Sequence, residues 1–554
     1  MKNESWLSWF LRGFLIVLFL VLFAKLFEVQ IIKGSYYRDL SDNNRIRRIS
    51  IPAPRGRIIA RGGEVLAGNL TVRKAIKLNA SGAYELTDDL TGSSPDEIVT
   101  DYRRNYPLGS LAAHVVGYLS VVGDNQIGKI NPDCPGKGPR VSGQLVGVTG
   151  LEQEYECELD GVPGEELIEV DTAGKKVRTL GKLEPIPGHD IQTTIDYNLQ
   201  KQVAADMDSA KSTGRGAVIV SDTSGQILAF YSLPSFDPNL LINHNDPQEI
   251  ASLLQSTDLP FFNRVIGGTF NPGSVFKPVV AIAALEEGAI DKNFTYTDTG
   301  KITVNGFSYT NWFLTEYGGT EGKIGLTRAI ARSTDTFFYQ IGQMVGADNI
   351  AKWADAFGLN KPTGVDLPGE VSGLIPTTDW KKQNIRESWF LGDTYHMAIG
   401  QGYVAVTPIE LNSYISAIAA NGRYCTPHLL MDSGNFPCRK INLSQNNLDL
   451  VKSGMIDACS SGGTGYTFFD FSAKHDGQTL ACKTGTAETG VGGIPNAWLT
   501  FFTPVENPQL VTTVVFEKAG QGSDVAGPVA RQIADYYFSS NQSGQGAQTP
   551  IPTP

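Results

Sequence analysis

The stretch Asn271–Pro278, NPGSVFKP, decides how this chain is read. Ser274 and Lys277 stand three residues apart at the start of an apolar run. On a helix that spacing puts both side chains on one face, so the amine can reach the hydroxyl. A serine is a poor nucleophile until an adjacent base activates it, and a lysine serves as that base only when desolvation or nearby cations lower its pKa. Phe270, Val275, Phe276 and Val279 supply a dry setting. Alone the motif is weak, because chance produces about one or two Ser-x-x-Lys matches in a chain of this length, and a helix cap beside a solvated lysine reads the same way.

Two further stretches sharpen it. RSTDTFFYQ (332–340) carries Ser333, Thr334 and Asp335 ahead of aromatics at helical spacing. A hydroxyl there can relay a proton between Lys277 and a leaving group, and Asp335 can hold that lysine or a substrate backbone. In isolation the tripeptide also reads as Ser333 capping a helix. ACKTGTAETG (481–490) places Lys483, Thr484, Gly485 and Thr486 on a predicted strand. Gly485 there lets a substrate backbone lie close against the strand edge. Lys483 offers positive charge to a carboxylate, and the Thr486 N–H can face a developing oxyanion. The competing reading is a bulged edge strand with a solubilising lysine.

Outward from these motifs, residues 190–210 read as a strand feeding an amphipathic helix, with Leu199, Val203 and Met207 at four-residue spacing. Residues 215–232, RGAVIVSDTSGQILAFYS, read as a hairpin closed by a Thr-Ser-Gly turn. Helices are expected at about 275–287, 327–345 and 408–420, and strands around 480–486, 497–503 and 510–517. Strands at both ends with helices between predict an α+β domain over 191–538. Residues 34–190, rich in Gly, Pro and short apolar runs, predict a β-rich, extended, non-catalytic module. The polar stretch 539–554 is expected to be a disordered tail.

The whole chain bounds the class. Its 554 residues suit two to four domains, and 41% hydrophobic with 19% charged residues is ordinary globular composition. A net charge of −11 argues against nucleic acid as the partner. Trp6–Phe27, WLSWFLRGFLIVLFLVLFAKLF, has an uninterrupted apolar stretch from Gly13 to Ala24, with Arg12 and Lys25 able to snorkel outward. No small-x-small cleavage site follows, so residues 1–33 read as a short tail and an uncleaved anchor, with the side of the tail left open. Counting Lys33, Arg38, Arg45, Arg47 and Arg48 beyond the anchor would keep the large portion in the cytoplasm, although long domains translocate largely regardless of charge. Six cysteines fall into sequence-near pairs, Cys134/Cys157, Cys425/Cys438 and Cys459/Cys482. Disulfides in an oxidising compartment and inert buried thiols both fit, with Cys459–Cys482 a candidate brace for the Lys483 strand.

Ser-x-x-Lys, Ser-x-Asp and Lys-Thr-Gly in this order form the motif set of penicillin-binding proteins and class A β-lactamases. The chain resembles a class B penicillin-binding protein, a monofunctional peptidoglycan D,D-transpeptidase. NNRIRRISIPAPRGRI (43–58), GLEQEYE (150–156), PIPGHDIQTTIDYNLQ (185–200) and AFYSLPSFDPN (229–239) resemble its segments, while ARGG (60–63) departs from the usual Asp-Arg-x-Gly. STDTFFYQ and GDTYHMAIGQGYVAVTPIEL (392–411) are most similar to the elongation type. That type commonly carries Asp in place of Asn in the second motif.

The resemblance implies an anchored, single-pass protein of the bacterial inner membrane with its catalytic domain outside the cytoplasm, against the charge count. It implies a serine acyl-enzyme formed at the D-Ala-D-Ala bond of peptidoglycan stem peptides, inhibition by β-lactams, a possible side activity as a D,D-carboxypeptidase, and scaffolding of a SEDS-family glycan polymerase. Ser274, Lys277, Ser333, Asp335 and Lys483 are the expected catalytic set, with Thr484, Gly485 and Thr486 binding substrate. No cofactor is expected. Some members carry zinc near the second motif, but residues 278–332 hold neither His nor Cys, so no metal is expected here. A division-type transpeptidase, a β-lactamase or β-lactam sensor, and a scaffold with a vestigial site are the alternatives. Asp335 should raise the Lys277 pKa and Lys483 should lower it, and residue order alone leaves that contest open.

Overall fold

The computed structural model describes residues 6–78, 84–92, 98–171, 176–243, 246–431, 436–490 and 493–544. Helix α1 covers Trp6–Phe27 and continues as π-helix through Glu28–Ile32, with no buried residue in either segment. Those 27 residues, at about 1.5 Å each, exceed a hydrocarbon core of about 30 Å.

The chain divides into two compact units. One takes residues up to Gly56, Asn69–Arg103 and Asp160–His189. Its antiparallel sheet has the order β1 (Ile46–Ile51), β2 (Gly164–Val170) and β3 (Lys176–Leu183). Ile49, Ile76, Ile168 and Val170 form its small apolar core.

The second unit takes Arg57–Gly68, Arg104–Leu159 and everything from Asp190 on. The stretch 34–190, expected as one module, is therefore divided. The reason is packing that crosses the predicted boundary: Ile58, Ala60, Leu66, Tyr106 and Leu151 belong to the same apolar core as Ile219 and Phe276. Arg104 and Glu152, both inaccessible to solvent, pair at 2.6 Å within it, and the Tyr106 hydroxyl donates to the same carboxylate.

The expected α+β architecture is present here. Helix α2 (Tyr197–Ser209) is capped by the Asp196 carboxylate, which accepts from the N–H groups of Asn198 and Leu199. Strands β4 (Gly216–Ser221) and β5 (Ile227–Leu233) form the predicted hairpin. Then come α3 (Lys277–Glu286), β6 (Thr295–Asp298), α4 (Trp312–Tyr317), β7 (Gly322–Gly325), α5 (Leu326–Arg332), α6 (Asp335–Val345), α7 (Leu391–Ala398), α8 (Pro408–Ala419) and α9 (Gln445–Ala458). Strands β8 (Ala481–Ala487), β9 (Asn496–Thr503) and β10 (Leu510–Phe516) precede the final helix α10 (Gly522–Gly544).

These strands make one antiparallel sheet of order β5-β4-β10-β9-β8. Because side chains alternate across a strand, β4 divides its residues between two cores. Val218 and Val220 face the cluster that holds Leu199, Val203 and Met207 of α2 with Val529 and Ile533 of α10. Ala217 and Ile219 face the larger cluster containing α3 and α8. Helices thus cover both faces, which leaves β8 as an outer strand.

Two further sequence expectations are corrected. The helix expected at 327–345 is two helices, broken at Ser333 and Thr334. Helix α10 runs to Gly544 and takes in the first six residues of the expected tail, 539–544, and 545–554 lie outside the described residues. All three cysteine pairs are disulfides: Cys134–Cys157, Cys425–Cys438 and Cys459–Cys482.

The buried ion pair gives a direct stability test. Glu152→Ala leaves the Arg104 guanidinium buried without its carboxylate. It should cost about 3–5 kcal/mol, read as a lower denaturant midpoint of the second unit, whereas truncating the exposed Glu184 should leave that midpoint unchanged.

Candidate active site

The nucleophile loop is built before the helix it introduces. Gly273 sits at φ +57°, in the left-handed region that glycine adopts without strain. Residues Gly273–Phe276 then form one 3-10 turn, and α3 begins at Lys277. Ser274 is part-exposed, while Lys277 is inaccessible to solvent. A Cβ on Gly273 would lie 2.9 Å from the Thr486 carbonyl, so glycine is what lets this loop reach β8.

Gly485 makes the reciprocal contact. A Cβ there would meet the Pro272 carbonyl at 2.9 Å, with Trp498 Cβ and Val275 Cγ1 each at 3.0 Å. The open side of Gly485 therefore faces the nucleophile loop. This revises the expectation that it makes room for a substrate backbone: the sequence revealed that something approaches closely, but not what.

Ser333 and Asp335 are placed by the helix break. Ser333 ends α5 at φ +54° and ψ +38°, Thr334 returns to extended backbone, and Asp335 opens α6. Ser333 is the C-terminal cap of the preceding helix, so the N-cap reading fails for it. The left-handed conformation is uncommon for a residue with a Cβ, and it turns the hydroxyl toward two lysines. Lys277 Nζ donates to Ser333 Oγ at 3.0 Å, to the Ser333 carbonyl at 2.7 Å and to Asp335 Oδ1 at 2.7 Å. Lys483 Nζ donates to the same Ser333 Oγ at 2.9 Å and to the Thr484 carbonyl at 3.0 Å. Ser333 Oγ thus bridges two amines that arrive from α3 and β8.

Both lysines are fully buried, and burial holds the pKa of each below the ordinary lysine value. For Lys277 the Asp335 carboxylate opposes that shift without overcoming it. For Lys483 the neighbouring Lys277 charge adds to burial, again against Asp335. The contest left open by the sequence goes to desolvation, with Asp335 on the losing side. The Lys277 Nζ also lies 5.2 Å from the Phe338 ring centre.

Several residues that the sequence did not single out complete the arrangement. Trp312 N–H donates to Asp335 Oδ2 at 3.1 Å, and its indole donates to the Arg332 carbonyl at 3.0 Å. Asn311 Oδ1 accepts from Asp335 N–H. The Thr484 hydroxyl is engaged with Thr464 at 2.8 Å, and Thr486, the part-exposed threonine, accepts from Gly522 N–H at 3.3 Å. Asn271, three residues before Ser274, donates to the carbonyls of Gly402 and Val404. Thr484 and Thr486 belong to a motif already read from the sequence; for Asn271, Asn311 and Trp312 the only signal is a polar group inside apolar surroundings, which needs the fold to be noticed. Cys482, beside Lys483, is bonded to Cys459 just after α9 and so ties β8 to that helix.

Residues 215–535 match the penicillin binding protein transpeptidase domain, and 74–193 match the penicillin-binding protein dimerisation domain. The chain is 31% identical to the peptidoglycan D,D-transpeptidase MrdA of Escherichia coli K12, over 96% of this chain and 94% of that one. It superimposes on Pseudomonas aeruginosa PBP2, solved in complex with WCK 5153, with TM-score 0.72 and 31% identity, covering 89% of this chain and 96% of that one. A chain of a peptidoglycan synthase complex, in a structure on the coordination of polymerization and crosslinking, matches with TM-score 0.75 and 27% identity, covering 99% of this chain and 100% of that one.

If Lys277 is the base for Ser274 it acts in its neutral form, and that has a definite pH signature. The rate at which the Ser274 hydroxyl is acylated should rise with pH as Lys277 loses its proton, and level off below 10.5, the ordinary lysine value. The same shift acts on stability with a definite sign. Between the folded pKa and 10.5 the unfolded chain binds the extra proton. The penalty for burying Lys277 is therefore fully present below the folded pKa and relieved as pH rises toward 10.5. Lys277→Arg, charged throughout, should abolish the rising limb in stopped-flow acylation.

Proposed function

The chain belongs to the class B penicillin-binding proteins and is a peptidoglycan D,D-transpeptidase of the elongation type, and from the site geometry we propose how its residues run the reaction. Lys277, in its neutral form, takes the Ser274 proton as the Ser274 oxygen attacks the carbonyl between two terminal D-alanines of a stem peptide. The backbone N–H groups of Ser274 and Thr486 receive the oxyanion, a contribution of about 3–4 kcal/mol per donor in such sites. Ser333, whose hydroxyl contacts both lysines, passes the proton to the departing D-alanine. Lys483, with Thr484 and Thr486, binds the terminal carboxylate. The donor peptide lies along the outer strand β8, which Gly485 brings against the nucleophile loop. An amine from a neighbouring stem peptide then attacks the acyl-enzyme, forming the cross-link and releasing Ser274.

The observation that carries this reading is the shared Ser333 hydroxyl, within 3.0 Å of one buried lysine and 2.9 Å of the other. A structural lysine needs no such company. β-Lactams acylate the same serine because their amide takes the place of the D-Ala-D-Ala bond.

Placement follows the same reading. The α1 segment spans the inner membrane once and the catalytic unit lies outside the cytoplasm. Three disulfides support that side, since an oxidising compartment sustains them. A SEDS-family glycan polymerase is the partner through the anchor. The match to a chain from a peptidoglycan synthase complex, over nearly the full length and so including the anchor, supports this.

The test uses the full-length chain in detergent with a fluorescent penicillin. The wild type should form a stable adduct, Ser274→Ala none, and Lys277→Ala almost none while remaining folded. Given a pentapeptide ending in D-Ala-D-Ala and an amine acceptor, the wild type should release one D-alanine per cross-link. Penicillin turned over within seconds would indicate a hydrolase instead, and no adduct on a folded wild type would remove the catalytic reading.

A further inference from the structure

The segment between α3 and α5 carries none of the three motifs, yet it contains a carboxylate only 2% exposed. Asp298, the last residue of β6, pairs in the strand ladder with Gly322 of β7. Its two oxygens accept four hydrogen bonds from four parts of the chain. Oδ1 accepts from Gly300 N–H at 2.8 Å and from the Thr336 hydroxyl at 2.7 Å. Oδ2 accepts from Glu321 N–H at 2.8 Å and from Asn311 Nδ2 at 3.2 Å.

Two of these donors lie beside the catalytic groups. Thr336 directly follows Asp335 at the start of α6, so its bond to Asp298 fixes the first turn of that helix. Asn311, fully buried, gives its amide nitrogen to Asp298 and turns its oxygen to Asp335 N–H at 3.1 Å. The next residue, Trp312, donates its N–H to Asp335 Oδ2, and Asp335 Oδ1 receives Lys277. A side-chain amide has one donor end and one acceptor end. Asp298 decides which way Asn311 faces; without the carboxylate, a flipped amide would aim N–H at N–H.

We propose that Asp298 is a positioning residue for acylation, holding Asp335 and through it Lys277 by way of Asn311 and Thr336. Only a carboxylate suits the task. Two oxygens provide about four lone-pair sites, whereas an asparagine there would offer one oxygen and turn an NH2 toward two donors. Asp298 touches neither Lys277 nor Ser274, so its effect is on geometry. The arrangement of base and relay is what a misplacement of about 1 Å can cost about 100-fold in rate.

This inference rests on the acyl-enzyme reading above, and the experiment separates the two. Full-length wild type, Asp298→Asn and Asp366→Asn are acylated by fluorescent penicillin under stopped flow, with active sites counted by titration. Asp366 is the matched control: its carboxylate is also buried and accepts from the Tyr155 hydroxyl and the N–H groups of Leu429 and Leu430, sharing no partner with the Asp298 network. For Asp298→Asn the acylation rate constant per titrated site should fall about 100-fold, with little change in the half-saturating penicillin concentration. Asp366→Asn should lower the melting temperature and leave the rate constant per site unchanged.

The inference is overturned if Asp298→Asn loses only titratable sites while each remaining site reacts at the wild-type rate, or if both variants slow acylation alike. Should Asp298→Asn fail to fold, Thr336→Val removes one donor at nearly constant volume. A slower rate per site then supports the proposal, and an unchanged rate overturns it. Absence of any adduct on the wild type would be failure of the acyl-enzyme reading itself.

Discussion

Two lysine amines share one serine hydroxyl in a place that water does not reach. Lys277 and Lys483 are both inaccessible to solvent, and both donate to Ser333 Oγ. Burying one ammonium is costly, and burying two side by side is worse, because desolvation and mutual repulsion act in the same direction. Among the described residues Asp335 is the carboxylate in contact with Lys277, and it does not offset the lowering of either lysine's pKa by burial. The surrounding structure serves this imbalance: a loss of one proton is made easy, which is the condition for a lysine base. On the mechanism proposed here, the terminal carboxylate of a stem peptide arriving at Lys483 brings the second negative charge, so substrate binding and the protonation of the pair are linked.

Holding these groups together requires backbones to approach closely where side chains would intrude. Gly273 and Gly485 face each other across the junction of the nucleophile loop and β8. Gly400 seals the other side of the loop, where the Gly273 N–H donates to its carbonyl at 2.9 Å. An alanine at Gly273 would meet both a left-handed backbone and the Thr486 carbonyl. The Cys459–Cys482 disulfide anchors the same strand from its far side, one residue before Lys483. On the proposed mechanism, the nucleophile and the carboxylate-binding strand are consequently held against each other by close backbone packing and a disulfide, which is what preorganised catalysis needs.

The catalytic unit also recruits chain from outside its sequence boundary. Arg57–Gly68 and Arg104–Leu159 contribute apolar side chains and the Arg104–Glu152 pair to its interior. Ile191 and Gln192 pair in parallel with Ile58 and Ile59, so the strand that leads into α2 is set by residues more than 130 positions earlier. A boundary drawn from composition alone cuts through this packing.

What the sequence by itself determined was chemical identity and local form. The spacing of Ser274 from Lys277, the order of the three motifs, the apolar segment Trp6–Phe27, the β4–β5 hairpin and the strands β8 to β10 are all local properties, written in residue type and period. The tertiary structure decided everything that depends on distance between remote residues. It broke the 327–345 helix at Ser333, because turning that hydroxyl toward two lysines needs a left-handed residue that no propensity predicts. It gave the protonation contest to burial, since desolvation depends on what the whole fold packs around an amine. It revealed Asn311, Trp312 and Asp298, ordinary polar and aromatic residues in sequence, whose importance lies in which donors and acceptors they meet. A motif specifies the groups that react; only the folded chain specifies how dry they are and which way they point.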